Sequence, residues 1–95
     1  MTDIDARTRR QLGIPSNVRG ALVSNIEQDS NAAKAGLQPG DVILELDRQP
    51  VRTADDAVAL SGKARGERVL LRVWSNSDGG PGATRYVVVD NKKPR

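Results

Sequence analysis

From Arg68 to Trp74 every second residue, Val69, Leu71 and Val73, is aliphatic, and Arg68 and Arg72 fall on the positions between and beside them. A period of two is the mark of a strand whose faces see different surroundings. It predicts Val69, Leu71 and Val73 turned inward and Arg68, Leu70, Arg72 and Trp74 turned outward. Thr84 to Val89 reads as the returning strand, with Val87 and Val89 inward. Between the two runs, Asp78-Gly79-Gly80-Pro81-Gly82 reads as an extended hairpin connection. Val42 to Leu46 differs: only Glu45 is polar. That is too apolar for a surface strand and predicts one buried on most of its surface. Val18 to Ile26 predicts the first long strand, with Val23 in the core and Leu22 and Ile26 covering the opposite side.

Three helices fit between these runs. Asp5 is a plausible N-cap for Ala6 to Leu12, and Gly13 closes that helix. Asp29 or Ser30 caps a second, from Asn31 to Ala35. Gly36 suits the left-handed position past its end, Leu37 folds back on its last turn, and Pro39 prevents it from resuming. Gly40 and Asp41 then turn the chain, with the Asp41 carboxylate bonding nearby amides. Asp47-Arg48-Gln49-Pro50 forms a tight turn. Thr53 starts the main helix, about 53–64. Thr53 with Asp56 makes a shortened capping box, and Asp55 and Asp56 favour the positive end of the helix dipole. Ala57 and Leu60 share the face turned to the sheet; Ala54, Val58 and Ser61 form a neighbouring stripe. Gly62 weakens the last turn, and Gly66 ends the helix.

Composition narrows the function. Ninety-five residues fit one small domain, and 37% apolar residues with two aromatics and no Phe require an aliphatic core. The sequence has no His and no Cys. That removes the usual general base, the Ser-His-Asp arrangement, thiolate metal sites and disulfides, so no catalytic role, metal or cofactor is expected. Asp55 and Asp56 are adjacent and point apart on a helix, a poor arrangement for paired carboxylate chemistry. Asp78-Gly79-Gly80-Pro81-Gly82 is not followed by the helix and Lys that a phosphate loop requires, and Ser61-Gly62-Lys63 lacks that motif's upstream glycine. The net charge of +3 is scattered except at Arg7, Arg9 and Arg10 and in the tail Lys92-Lys93-Pro94-Arg95. With no basic stripe interleaved with aromatics, nucleic acid is not an expected partner. No apolar run approaches the ~20 residues that span a bilayer, and the charged N-terminus does not read as a signal peptide.

One resemblance organises these elements. Gly20-Ala21-Leu22-Val23-Ser24-Asn25-Ile26, then Ser30-Asn31-Ala32-Ala33-Lys34-Ala35-Gly36-Leu37, then Gly40-Asp41-Val42-Ile43-Leu44 resembles the centre of a PDZ domain. The lead-in Arg10-Gln11-Leu12-Gly13-Ile14-Pro15 makes the pattern similar to a C-terminal (second) PDZ domain of bacterial Do/HtrA-type serine proteases. The resemblance implies an α+β fold: a small antiparallel sheet or partly open barrel, one main helix and one or two short ones. It implies a single PDZ-like domain over 1–90, with 1–17 as lead-in and 91–95 as a disordered basic tail. Where PDZ domains commonly carry Asn-Gly, this chain has Asp47-Arg48.

The resemblance also implies a site. PDZ domains take an extended peptide, usually a free C-terminus, as an added strand on a sheet edge. Carried over by position, the helical wall is Ala54, Val58, Ser61 and Gly62. Ala54 stands where many members carry a His that selects Ser or Thr, so the preference should shift to apolar side chains. Ser61 and Gly62 leave room for a large terminal residue. Met1-Thr2-Asp3-Ile4 matches only the end of the edge strand, so that strand is expected to be truncated and the carboxylate-binding turn before it has no counterpart here. Met1 and Asp3 face one way and Thr2 and Ile4 the other; Thr2 and Ile4 are the strand's candidates for the groove. Gly36, Gly40 and Asp41 are structural turn residues. The blander reading is that Ala54 and Val58 only cover the sheet edge.

By the same resemblance the parent is a periplasmic serine endoprotease that degrades or holds misfolded envelope proteins. Its PDZ modules bind apolar C-termini or contact neighbouring subunits and so regulate proteolysis, without inserting in the membrane. The alternatives are a PDZ module of another membrane-associated protease or secretion component, a small basic nucleic-acid-binding domain, and an independent small enzyme.

Overall fold

A computed structural model describes residues 2–26, 30–63, 68–76 and 82–90; the side chains of Asn31, 61–63 and Asp90 lie outside the description. Nine elements follow in order: β1 (Thr2–Asp3), α1 (Ala6–Leu12), β2 (Ala21–Leu22), α2 (Asn31–Lys34), β3 (Val42–Leu46), β4 (Gln49–Pro50), α3 (Ala54–Lys63), β5 (Arg68–Ser75) and β6 (Ala83–Asp90). The strands form one antiparallel sheet in the order β1-β2-β3-β5-β6, with β4 paired to β3. The fold is the α+β arrangement expected from the sequence.

The helix ends follow local chemistry. The Asp5 carboxylate accepts from the Thr8 N–H at 2.7 Å, and Gly13 closes α1 at φ 67°. Ser30 Oγ accepts from the Ala33 N–H at 3.2 Å. Gly36 past α2 takes φ 96°. Thr53 Oγ1 accepts from the Asp56 N–H at 3.1 Å, while the Asp56 carboxylate reaches back to the Arg52 N–H rather than to the cap residue itself. These bonds satisfy amides that a helix start leaves without intrahelical partners.

The sheet is covered on both faces. The larger cluster gathers Val23, Ile43, Leu46, Ala57, Leu71 and Val73 under α3, and Val69, Val87 and Leu60 extend it. The inward positions expected for β5 and β6 lie here. A smaller cluster sits on the other face, where Ile14, Leu22, Val42 and Trp74 pack with Ile4, Val18 and Leu44. Trp74 is therefore not a solvent-facing residue. It points away from the larger cluster, as the alternation requires, but is only 4% exposed. Ile26 also departs from expectation: it packs on the larger cluster with Val23 and not opposite it with Leu22.

A bulge lets β3 serve both clusters. Ile43 pairs with Val73, but Glu45 pairs with Arg72, so Leu44 is the extra residue. Ile43 and Leu46 are three apart and would alternate to opposite faces; the bulge returns both to the larger cluster. Glu45 then lies beside Arg72, with a carboxylate–guanidinium distance of 3.1 Å.

The expected strand from Val18 to Ile26 is shorter as a ladder. β2 covers two residues, continued by the pair Val23 N–H to Asp41 C=O and Gly40 N–H to Val23 C=O, both 2.8 Å. Gly20 explains why the chain must be bare just before it: a Cβ there would collide with the Ile43 carbonyl. The second helix stops at Lys34, one residue earlier than expected.

Asp47 and Arg48 both adopt positive φ, 50° and 69°. This is the two-residue hairpin geometry that normally calls for Asn-Gly. Asp47 is held in it from the side: its N–H donates to the Leu70 carbonyl at 2.7 Å, and its carboxylate accepts from the Leu70 N–H at 3.0 Å. The expectations for Asp29, Gly66, the tip of the β5–β6 connection and the tail 91–95 lie outside the described residues.

Candidate functional site

β1 is an edge strand: it pairs with β2 and with nothing on its other side among the described residues. Its ladder fixes which way each residue points. Thr2 is opposite Leu22 and Asp3 opposite Ala21. Directly opposed residues share a face. Leu22 belongs to the smaller cluster and Ala21 to the larger, beneath α3. Thr2 therefore faces away from α3, and Asp3 faces it.

Ile4 joins the smaller cluster with Ile14, Leu22 and Trp74. The structure thus places Thr2 and Ile4 on the face opposite α3 and separates them from Ala54 and Val58. Asp3 is the residue that β1 turns toward that helix, because pairing with the two-residue β2 sets the parity of β1. No local pattern in four residues could have set it.

Asp3 crosses the space between strand and helix. Its Oδ1 accepts from the Ala54 N–H at 2.7 Å. This bond supplies the first amide of α3 with a carboxylate, where the helix dipole favours negative charge. It ties the edge strand to the helix start.

Along α3, Ala57 is buried in the larger cluster, Ala54 is half-buried, and Val58 is 61% exposed. Val58 is thus an apolar side chain on the open flank of the helix, one turn beyond Ala54. Ser61 and Gly62 fall in the last turn, where side chains lie outside the described residues.

The turn at Gly36, Gly40 and Asp41 is elsewhere, at the start of β3. Gly40 takes φ 99°. Asp41 is 6% exposed. Its Oδ2 accepts from the Gln38 N–H at 3.1 Å, and its Oδ1 accepts from Ser75 Oγ at 2.8 Å. Arg85 on β6 adds an ion pair at 3.4 Å and donates to the Gly36 carbonyl. The three residues hold a turn and join it to β5 and β6; Arg85 and Ser75 are partners the sequence pattern did not single out.

The Asp5 carboxyl is displaced from its ordinary value. The Thr8 N–H bonded to Asp5 is the largest cause, with the Thr8 side chain second, and it holds the Asp5 pKa low.

The comparisons bear on this geometry. A family model described as PDZ domain matches residues 22–75. The chain belongs to the PDZ domain family. Within that family it is similar to parts of HtrA- and DegP-type proteases. A probable periplasmic serine endoprotease, DegP-like, from Chlamydia muridarum is 41% identical over 64 residues, 67% of this chain and 13% of the relative. The magnetosome formation protease MamE of Paramagnetospirillum magneticum is 35% identical over 79 residues, 82% of this chain and 11% of the relative. The chain spans about an eighth of the length of these curated relatives.

Among solved structures, the HtrA-type protease AlgW with a decapeptide superposes with a TM-score of 0.72 at 25% identity, over 93% of this chain and 26% of that one. The second domain of a Listeria protein, at 19% identity and a TM-score of 0.51 over 81% of this chain and 90% of that one, shares the fold.

Proposed function

We propose that the chain is a non-catalytic PDZ module of a Do/HtrA-like periplasmic serine endoprotease. It captures C-terminal or extended apolar peptides by β-augmentation and so regulates proteolysis in envelope protein quality control. The observation that carries this reading is the open edge of β1 tied by Asp3 to the start of α3. An incoming strand would meet unpaired backbone groups on one side and Ala54 and Val58 on the other. Backbone pairing supplies affinity with little sequence reading, and the small Ala54 side chain beside the apolar Val58 suits aliphatic ligand residues. AlgW, solved with a decapeptide, and the DegP-like relatives, named as periplasmic endoproteases, support the same assignment. The absence of His and Cys from the sequence leaves the chemistry to other parts of the parent.

The test is fluorescence anisotropy with labelled peptides that end in Val, Leu or Ala, each made with a free carboxylate and as the amide. Saturable binding supports capture, and a preference for the free acid adds terminus recognition. Absence of saturation with every peptide removes the reading.

A second reading, contact with a neighbouring subunit or domain, is favoured by a different observation. Tyr86 and Val88 on β6 are 63% and 53% exposed, and Val88 lies opposite the half-buried Leu70. They make an apolar strip on the outer face of the other sheet edge. This reading expects self-association or docking that Tyr86→Ser with Val88→Thr weakens, measured by sedimentation.

A further inference from the structure

We infer that Asp3 selects the ligand: at one interior position the cleft prefers a Lys or Arg side chain over an apolar or acidic one. This rests on the peptide-capture reading and deepens it. A strand added to the open edge of β1 places one residue directly opposite Asp3, and opposed residues in a ladder share a face. Asp3 faces α3, by its pairing with Ala21 and by its bond to the Ala54 N–H. The ligand side chain opposite it therefore points into the space between Asp3 and the first turn of the helix.

The carboxylate there is only half engaged. Oδ1 accepts from Ala54; Oδ2 has no hydrogen bond among the described residues. The ion pairs among those residues join Arg72 to Glu45 and Arg85 to Asp41, and neither involves Asp3. Asp55, the next residue of the helix, adds a second negative charge in the same turn and is also exposed. The Ala54 methyl offers no competing polar group. A cation opposite Asp3 gains a charge-assisted hydrogen bond, whereas a ligand Glu meets like charge. Sequence position alone assigned selection to Ala54 and predicted a shift of preference to apolar side chains. The geometry moves selection at this one position from the helix to the strand.

Because Asp3 is exposed, the preference is modest. Exposed ion pairs correspond to about a three-fold change in Kd, and it should shrink with added salt. The experiment walks a single Lys, Leu or Glu through an otherwise apolar peptide and measures Kd by anisotropy, with the wild type and with Asp3→Asn. Asparagine keeps an acceptor oxygen for the Ala54 N–H and removes the charge. Lys binding about three-fold tighter than Leu, and Glu weaker than both, at one position in the wild type, flattened in Asp3→Asn, is the expected result. Peptide binding with no such position, or a preference that survives Asp3→Asn, overturns the inference while leaving peptide capture standing. Failure of every peptide to bind overturns both.

Discussion

The sheet has two edges, and they are built differently. β1 is two residues long, held from behind by Ile4 in the Trp74 cluster and from the side by the Asp3–Ala54 bond. β6 is eight residues long, fully paired with β5, and anchored at Arg85 to the buried Asp41. The short edge has an adjacent helix and an open ladder; the long edge has an exposed apolar strip at Tyr86 and Val88. A long apolar edge invites contact with any extended chain, whereas a short edge beside a helix restricts what can add to it. The contrast is the physical basis for proposing selective peptide capture at β1, with docking through β6 as the rival reading.

The largest test removes the support of the short edge. Trp74→Ala should cost about 3–5 kcal/mol in equilibrium unfolding, as for a large aromatic lost from a core. Hydrogen exchange should accelerate more at Ala21 and Leu22 than along Val87 to Val89. A cost below about 1 kcal/mol would mean that the smaller cluster holds nothing. Next, Gly82 sits at φ 82°, and a Cβ there would lie 2.5 Å from the Trp74 indole. Gly82→Ala should therefore cost about 1–3 kcal/mol; in a Trp74→Ala background, where the indole is gone, the steric part should vanish and only the cost of the positive φ remain.

Asp3→Ala should cost about 1 kcal/mol through the lost bond at the start of α3, whereas Tyr86→Ser on the long edge should stay within about 0.5 kcal/mol. Equal costs would erase the difference between the edges. Arg48→Gly should stabilise by about 1 kcal/mol, because glycine adopts the positive φ that arginine is forced into. Smallest is a pH effect near β1. The folded-state pKa of Asp5 is lowered by its bond to Thr8. Its contribution is therefore present above the unfolded value, near pH 4, and lost as pH falls through the lower folded value. The stability gap between wild type and Asp5→Ala should close below about pH 4 in acid unfolding curves.

How much of this was legible depended on range along the chain. Asp5 with Gly13, Ser30 with Gly36 and Thr53 with Asp56 are local pairs, and their residue types declare them. The alternation in β5 correctly separated Val69, Leu71 and Val73 from Trp74. It could not say that the second face is also covered, since that cover comes from Ile14 and Val42, far off in sequence. Ile26 was misplaced because the regular ladder of β2 ends at Leu22 and strict alternation no longer applies. At the candidate site, the helix stripe of Ala54 and Val58 follows from spacing alone. Asp3 does not: its partner is 51 residues away, and the parity of so short a strand is fixed only by pairing. PDZ membership, by contrast, rests on three short runs close together in the chain, at 20–26, 30–37 and 40–44, all but Gly20 and Ala21 within the matched residues 22–75.

The most direct test is an amide NMR titration of this chain with a short peptide ending in a free carboxylate and apolar residues. The account predicts saturable shifts at Thr2, Asp3, Ala54 and Val58, with Tyr86 and Val88 unmoved. Shifts confined to β6, or none at any concentration, would contradict the assignment of the cleft between β1 and α3 as the site of peptide capture.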